Sequence, residues 1–319
     1  MPTTMKQTTR NWTSVFVCLG FIFILLLLMI STSGPAGARA YSQNPGGPPG
    51  SVVFFSARPP GHSNNQIYVM DPDGSNQTRV TYDAASEVDP DISRNGHSIL
   101  FTSNQFGNND IFIRDESGGL SNLTHNLAND GWARWSPDGK HVVFESNRTQ
   151  GVFEIYLMNP DANDTPTALT ELPVMSRYPS WSPNGRQIVF RHGIDIYTMN
   201  VDGSGELTPL THESAPSFAQ MPVFSPNGRF IAFMSFREGY CSVFRMNADG
   251  SEQTNLTPIE AGVPPATWCS RAPSWSADGQ QIFFMSMRTG QNEVYVMNND
   301  GSDVHQLTFD GTSGSPRVR

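Results

Sequence analysis

An all-β fold, a six-bladed β-propeller of four-stranded blades, is predicted by three observations: the composition, an internal repeat, and a complementary mismatch between the two ends of the chain. Of 319 residues only 15% are charged, whereas Gly (28) and Pro (24) are abundant. This balance disfavours long helices and suits short strands joined by tight turns. The string S-x-x-G recurs with its serine at Ser93, Ser136, Ser182, Ser225 and Ser276, in steps of 43, 46, 43 and 51 residues, the period of a propeller blade. The first unit lacks the strand that opens every other unit, and the C-terminal SPRVR supplies that strand without the rest of a unit.

Each unit reads as four strands. In the fourth they are a (179–182, PSWS), b (187–191, QIVFR), c (195–200, DIYTMN) and d (208–211, TPLT). SPNG closes the a–b hairpin and VDGSG the c–d hairpin, with Gly supplying positive φ and the preceding Asp or Asn tolerating the left-handed region. Phe101, Phe144, Phe190, Phe233 and Phe284 stand eight residues after the repeat serines. They lie in b strands that are apolar on both faces, so both faces must be covered, as in sheets packed around an axis. The first unit starts on strand b at 51–55, and residues 315–319 align with APSWS. The last strand should therefore complete the first blade, latching six blades into a ring with no open edge there.

The N-terminus carries Lys6 and Arg10, an uninterrupted apolar run from Val15 to Ile30, and the small-residue sequence Ala38-Arg39-Ala40. This is the plan of a secretory signal peptide cut before Tyr41; an uncleaved anchor is the alternative, since 12–30 just reaches across a bilayer. Either way the body is exported, to the periplasm or the extracellular space, and membrane contact is expected only through an uncleaved N-terminal segment. Cys18 is read as a hydrophobe within the run. The expected organisation is a signal segment at 1–40, a Pro/Gly linker at 41–50 and the propeller at 51–319. Net charge is −9, and the body is more acidic still because the first 40 residues hold only basic charges. That sign argues against nucleic acid.

P-x-W-S-P-D-G followed by I-x-F, then I-Y-x-M-N-x-D-G-S and L-T, resembles the TolB-type propeller repeat and is similar to the propellers of prolyl oligopeptidases and dipeptidyl peptidases. The resemblance covers 51–319. It departs from TolB in having about ten linker residues where that family has a separate N-terminal domain. The resemblance implies a protein-binding surface.

Catalytic signals are sparse. No G-x-S-x-G elbow occurs, and the nearest string, Gly311-Thr312-Ser313-Gly314, lies at the end of the chain. His62, His97, His125, His141, His192, His212 and His305 are dispersed, with no H-x-H or H-E-x-x-H pair, and read as turn residues rather than metal ligands. Asp71-Pro72-Asp73-Gly74-Ser75 resembles the start of a calcium loop, but Asp202-Gly203, Asp249-Gly250 and Asp300-Gly301 stand at the same repeat position, so turn chemistry accounts for all of them. No metal or cofactor is expected. The column Trp135, Trp181, Phe224 and Trp275 reads as inter-blade packing.

Two positions carry more information. Two residues before the repeat serine stand Arg317, Asp91, Arg134, Ser180, Val223 and Ser274 in ring order. Asp91, Arg134 and Arg317 are thus channel charges on three adjacent inner strands, forming either an ion-paired lining or an anion site with an unneutralised arginine. The b–c and d–a connections vary in length, from Arg191-His192-Gly193 to the long 259–271 segment, and recognition concentrates on variable loops held by a rigid scaffold. Where those loops return to strand a stand Glu87, Asp89, Asp130, Trp132, Arg177, Tyr178, Gln220 and Arg271, the candidate binding residues. Cys241 and Cys269 fall in connections on this same face of one blade and form a disulfide candidate in an exported protein, two separate thiols being the alternative. The expectation is a monomeric, non-enzymatic propeller that binds a protein, peptide or cell-envelope polysaccharide on its loop face. A propeller lyase or hydrolase with acid/base groups at the channel mouth is the alternative.

Overall fold

The computed structural model describes residues 50–58, 64–161, 164–171, 173–259 and 268–318. The signal segment and, apart from Gly50, the linker lie outside the described residues. Strands β1 to β24 form six four-stranded antiparallel sheets. In the first blade β1 (Val52–Ser56), β2 (Gln66–Met70) and β3 (Thr78–Arg79) are joined by β24 (Gly314–Val318) on the inner side. The second blade runs outward from β4 (Glu87–Ile92) through β5 (Ile99–Ser103) and β6 (Asp110–Arg114) to β7 (Leu120–Asn122). The third comprises β8 (Asp130–Trp135), β9 (Val142–Thr149), β10 (Val152–Met158) and β11 (Thr167–Ala168). The fourth comprises β12 (Ser176–Trp181), β13 (Gln187–His192), β14 (Asp195–Asn200) and β15 (Thr208–Pro209). In the fifth are β16 (Ala219–Phe224), β17 (Phe230–Ser235), β18 (Ser242–Asn247) and β19 (Thr254–Asn255). The sixth holds β20 (Ser270–Trp275), β21 (Gln281–Ser286), β22 (Glu293–Asn298) and β23 (His305–Gln306).

Closure follows the register expected from the chain ends: Val52 pairs with Val318, Val53 with Arg317 and Phe55 with Gly314. The edge of β1 is covered by a strand from the far end of the sequence. Gly314 is required in that strand, because a Cβ there would lie 2.2 Å from Met285 Sδ and 2.8 Å from the Phe55 ring.

The repeat serine organises each a–b turn. In the fourth blade the Ser182 hydroxyl donates to Asn184 Oδ1 (2.8 Å) and accepts from the Gln187 N–H (2.9 Å), while the Gly185 N–H donates to the Ser182 carbonyl (2.9 Å). Gly185 turns at φ 69°, where a Cβ would be strained. The same bonds recur at Ser225 and Asn227. The Leu-Thr of strand d has an equally local reason: each threonine hydroxyl accepts a backbone N–H of strand c, as Thr211 does for Ile196 and Thr308 for Val294, both at 2.9 Å.

The core lies between blades. Val52, Phe54 and Tyr68 of the first blade pack with Phe283 and Val294 of the sixth, whereas Val53 and Ile67 face Ile99 and Phe101 of the second. Alternate residues of one b strand thus enter two cores, which is why these strands are apolar on both faces. Phe101, Phe144, Phe190, Phe233 and Phe284 are fully buried, each worth about 1.5–3 kcal/mol against exposure. Trp181 joins Val143 and Ile155 of the third blade to Ile188 and Phe190 of the fourth, and its Nε1–H donates to the Arg134 carbonyl (3.1 Å). The tryptophan column is inter-blade packing, as its spacing suggests.

Candidate binding site

All six inner strands contain one non-glycine residue in the left-handed region, at φ between 46° and 58°: Asp89, Trp132, Tyr178, Met221, Ala272 and Ser315. At each the pairing with strand b slips, as between Val88 and Asp91 or Gly131 and Arg134. These are β-bulges on the edge that faces the axis. The next residue is proline in all but the third blade, where Ala133 stands. Proline suits an edge because it has no N–H to leave unpaired.

All eight candidate binding residues lie within strand a; Glu87, Asp130 and Arg271 stand at or next to its start, and none is in a loop proper. Glu87, Asp130, Trp132 and Gln220 are buried; Asp89, Arg177, Tyr178 and Arg271 are half-buried. Trp132, only 5% exposed, is therefore a plug of the channel and not an anchor on its surface. Its ring meets Tyr178 edge to face at 4.9 Å between centroids, and the Arg134 and Arg317 guanidiniums stand 4.8 and 5.6 Å from its centre. Burial pushes Glu87 up to about 8, with the nearby Asp83 carboxylate adding to the rise and the Thr81 hydroxyl opposing it.

Carboxylates staple neighbouring blades around this plug. Glu145 accepts the Tyr178 N–H (2.8 Å) and the Arg177 Nε–H (3.1 Å). Asp91 accepts the Trp135 N–H (2.8 Å), and Asp89 accepts the Ser315 hydroxyl (3.0 Å). Gln220 accepts from Arg191 (2.8 Å). The expected Arg-Asp-Arg cluster does come together, but not as ion pairs: among the described residues neither Arg134 nor Arg317 has a carboxylate oxygen within 4.0 Å. Their guanidiniums serve the bulge instead. Arg134 Nη1 donates to the Ala133 carbonyl (2.7 Å), and Arg317 Nη1 to those of Pro273 (3.0 Å) and Pro316 (3.1 Å). Burial, then the neighbouring Arg134 charge, lowers Arg317 to about 9.

On the loop face a Ser-x-Arg element follows strand b in four blades, a signal present in the sequence and overlooked there. Arg58, Arg148, Arg237 and Arg288 lie over the aromatic residue of strand c at 4.6, 4.7, 4.8 and 5.0 Å. Arg58 pairs with Asp310 (3.2 Å), Arg148 with Asp130 (3.1 Å) and Arg237 with Glu213 (2.5 Å), so each fixes a d–a segment or the first residue of strand a to its blade. Asp130 is thereby a structural partner. Among the described residues the loop face also carries six of the eight large exposed apolar side chains: Tyr82, Phe106, Leu127, Val174, Ile194 and Phe309.

Cys241 and Cys269 form an isolated bridge across the b–c and d–a segments, as thiols in the structure. A hydrogen bond from Cys269, aided by Arg271, lowers Cys241 to about 7, while the same contact and burial push Cys269 up. No group of three His, Cys, Asp or Glu able to hold a metal occurs among the described residues. The Asp-Gly-Ser turns are closed by local bonds, such as Ser204 N–H to Asp202 Oδ1 (2.9 Å). The turn face is less featureless than its short turns suggest: a hollow of ≈ 900 Å³ opens between the third and fourth blades, lined by Pro137, Trp181, Asn184 and Asp202.

Residues 29–194 match the family model described as the TolB β-propeller domain. The chain belongs to that family. Residues 136–264 also match the N-terminal region of dipeptidyl peptidase IV. An uncharacterized protein of Agrobacterium fabrum is 33% identical over 191 residues, covering 57% of this chain and 63% of its own length. Among solved structures, TolB from Acinetobacter baumannii superposes with a TM-score of 0.69 at 20% identity, over 84% of this chain and 66% of that one. A putative TolB from Agrobacterium tumefaciens does so with a TM-score of 0.63 at 24% identity, over 86% of this chain and 99% of that one. The chain thus spans just under two thirds of the Agrobacterium fabrum relative and of the Acinetobacter protein. TolB-family membership supports the exported location read from the N-terminus, and the fold is one capable of binding protein or peptide.

Proposed function

We propose that this propeller is a non-enzymatic binding module of the cell envelope that docks a protein, peptide or envelope polysaccharide on its loop face. The observation that carries this reading is the placement of exposed apolar side chains. Tyr82 is 72% exposed, Leu127 98% and Phe309 79%, and all three stand in d–a segments. Large apolar groups held in water on a rigid scaffold are the usual anchors of an interface. Arg177, Tyr178 and Arg271, half-buried at the inner end of the same face, would form its central lip.

The test is capture from envelope extract by the immobilised protein, followed by mass spectrometry. Replacing Tyr82, Leu127 and Phe309 together by Ser should abolish capture of the partner and leave the melting temperature within a few degrees of wild type. Retained capture, with loss on substituting Asn184 and Asp202 of the turn face instead, would move the site to the opposite side.

A further inference from the structure

The axial channel holds a cavity of ≈ 250 Å³ lined by Asp91, Arg134, Ser180, Val223, Ser274 and Arg317. Its remaining walls are Trp135, Trp181, Phe224 and Trp275, together with Pro137, Pro183, Pro226 and Ala277 of the a–b turns. The opening therefore lies on the turn face, while Trp132 and Tyr178 stand toward the loop face. We propose that this cavity is a binding site for one small carboxylate, held by Arg134 and Arg317 and entering from the turn face.

Three observations support it. Arg134 is 5% exposed, and its Nε and Nη2 are buried without a hydrogen-bond partner among the described residues. A buried donor left unpaired costs about 1–3 kcal/mol and more when charged, so these groups call for an acceptor. The nearby acids do not supply it: Asp91 is engaged by the Trp135 N–H and Asp89 by the Ser315 hydroxyl, and neither is within ion-pair distance of either guanidinium. Their charges balance the two arginines at longer range and make it tolerable to bury both. Two guanidiniums on the wall of one cavity suit the planar, two-oxygen face of a carboxylate.

Size and wall chemistry narrow the ligand. At about 30 Å³ per water, the cavity has room for roughly eight water volumes, enough for a carboxylate with a short body and not for an oligosaccharide. Opposite the arginines stand two hydroxyls, Ser180 and Ser274, with Val223 between them in ring order, which suits a body of mixed polarity. Such a carboxylate is either a free small acid or the C-terminus of a peptide, and the two are separable.

Isothermal titration at constant ionic strength, with propionate, trialanine and trialanine amide as probes, tests the site. Saturable one-site binding of propionate no weaker than that of trialanine assigns a free acid; tighter binding of trialanine, with none of its amide, assigns a chain terminus. Arg317→Met should weaken either by about tenfold or more, the loss of one charge-assisted bond. Because that residue lies in the closing strand, Val223→Phe provides a second arm: it fills the cavity, keeps both arginines and should abolish binding while the melt stays cooperative. Absence of saturable binding by all probes, equal binding of the amide, or binding unchanged in Val223→Phe overturns the proposal.

Discussion

Thr211 shows how much a single repeated side chain does. Its hydroxyl accepts the Ile196 N–H (2.9 Å) and donates to Asp195 Oδ1 (2.8 Å), and that same oxygen accepts the Glu213 N–H (2.6 Å). Thr211→Val keeps the shape and strands one buried N–H, so it should cost about 1–3 kcal/mol, read by urea denaturation; a cost below ~0.5 kcal/mol would show that the bond is dispensable. Glu87 provides a pH test. Burial raises its carboxyl to about 8 in the folded protein from the ordinary 4.5, so the folded state holds a proton that the unfolded chain releases. Stability therefore falls as pH rises between those values. Glu87→Gln removes this dependence, and its melting temperature relative to wild type should improve from about pH 5 to about pH 8; a constant difference would contradict the buried, protonated carboxyl. Cys241 and Cys269, adjacent in space, should be joined in the exported protein. Closing the intervening 28 residues is worth about 3.6 kcal/mol in the chain-entropy model, and two free thiols found by labelling the denatured, unreduced protein would refute the bond.

At the level of the strand, the bulge of strand a is the distinctive element. Ala272 sits at φ 53° and is 1% exposed. In an ordinary strand Ala→Gly loses about 0.5–1 kcal/mol, but a left-handed alanine gives back roughly that amount when its Cβ is removed. Ala272→Gly should leave the melting temperature unchanged or raise it, and a fall of several degrees would mean that the methyl group packs more than it strains. β24 is the other element with a distinct test. Removing residues 314–319 uncovers the ladder of β1 and takes Ser315 and Arg317 out of the channel, so the truncated protein should melt far lower or fail to accumulate. An unchanged melt would sink the latch.

For the whole molecule, the architecture was legible because a repeat multiplies weak signals. One S-x-x-G turn is a common string, but five at near-constant spacing, each followed at a fixed distance by Phe, specify blades, and the unmatched ends specify closure. The Ser-x-Arg clamps were equally readable, since Arg58, Arg148, Arg237 and Arg288 occupy one repeat position. The bulges were not: Asp89, Trp132, Tyr178, Met221, Ala272 and Ser315 share no chemistry, because what unites them is a backbone conformation imposed by the sheet edge. Nor could the sequence place the candidate site. It put Trp132 at a mouth and left the channel arginines either paired with Asp91 or open to an anion, whereas the ring buries Trp132 as a plug and turns both guanidiniums to backbone carbonyls. The sequence by itself determined strand order, blade number, the latch and the turns, all of which follow from local propensity and spacing. Only the tertiary structure decided which charges meet, which aromatic residues are covered and where the cavity opens, because these depend on how six edges converge on one axis, a distance relation between residues from blades far apart in the chain.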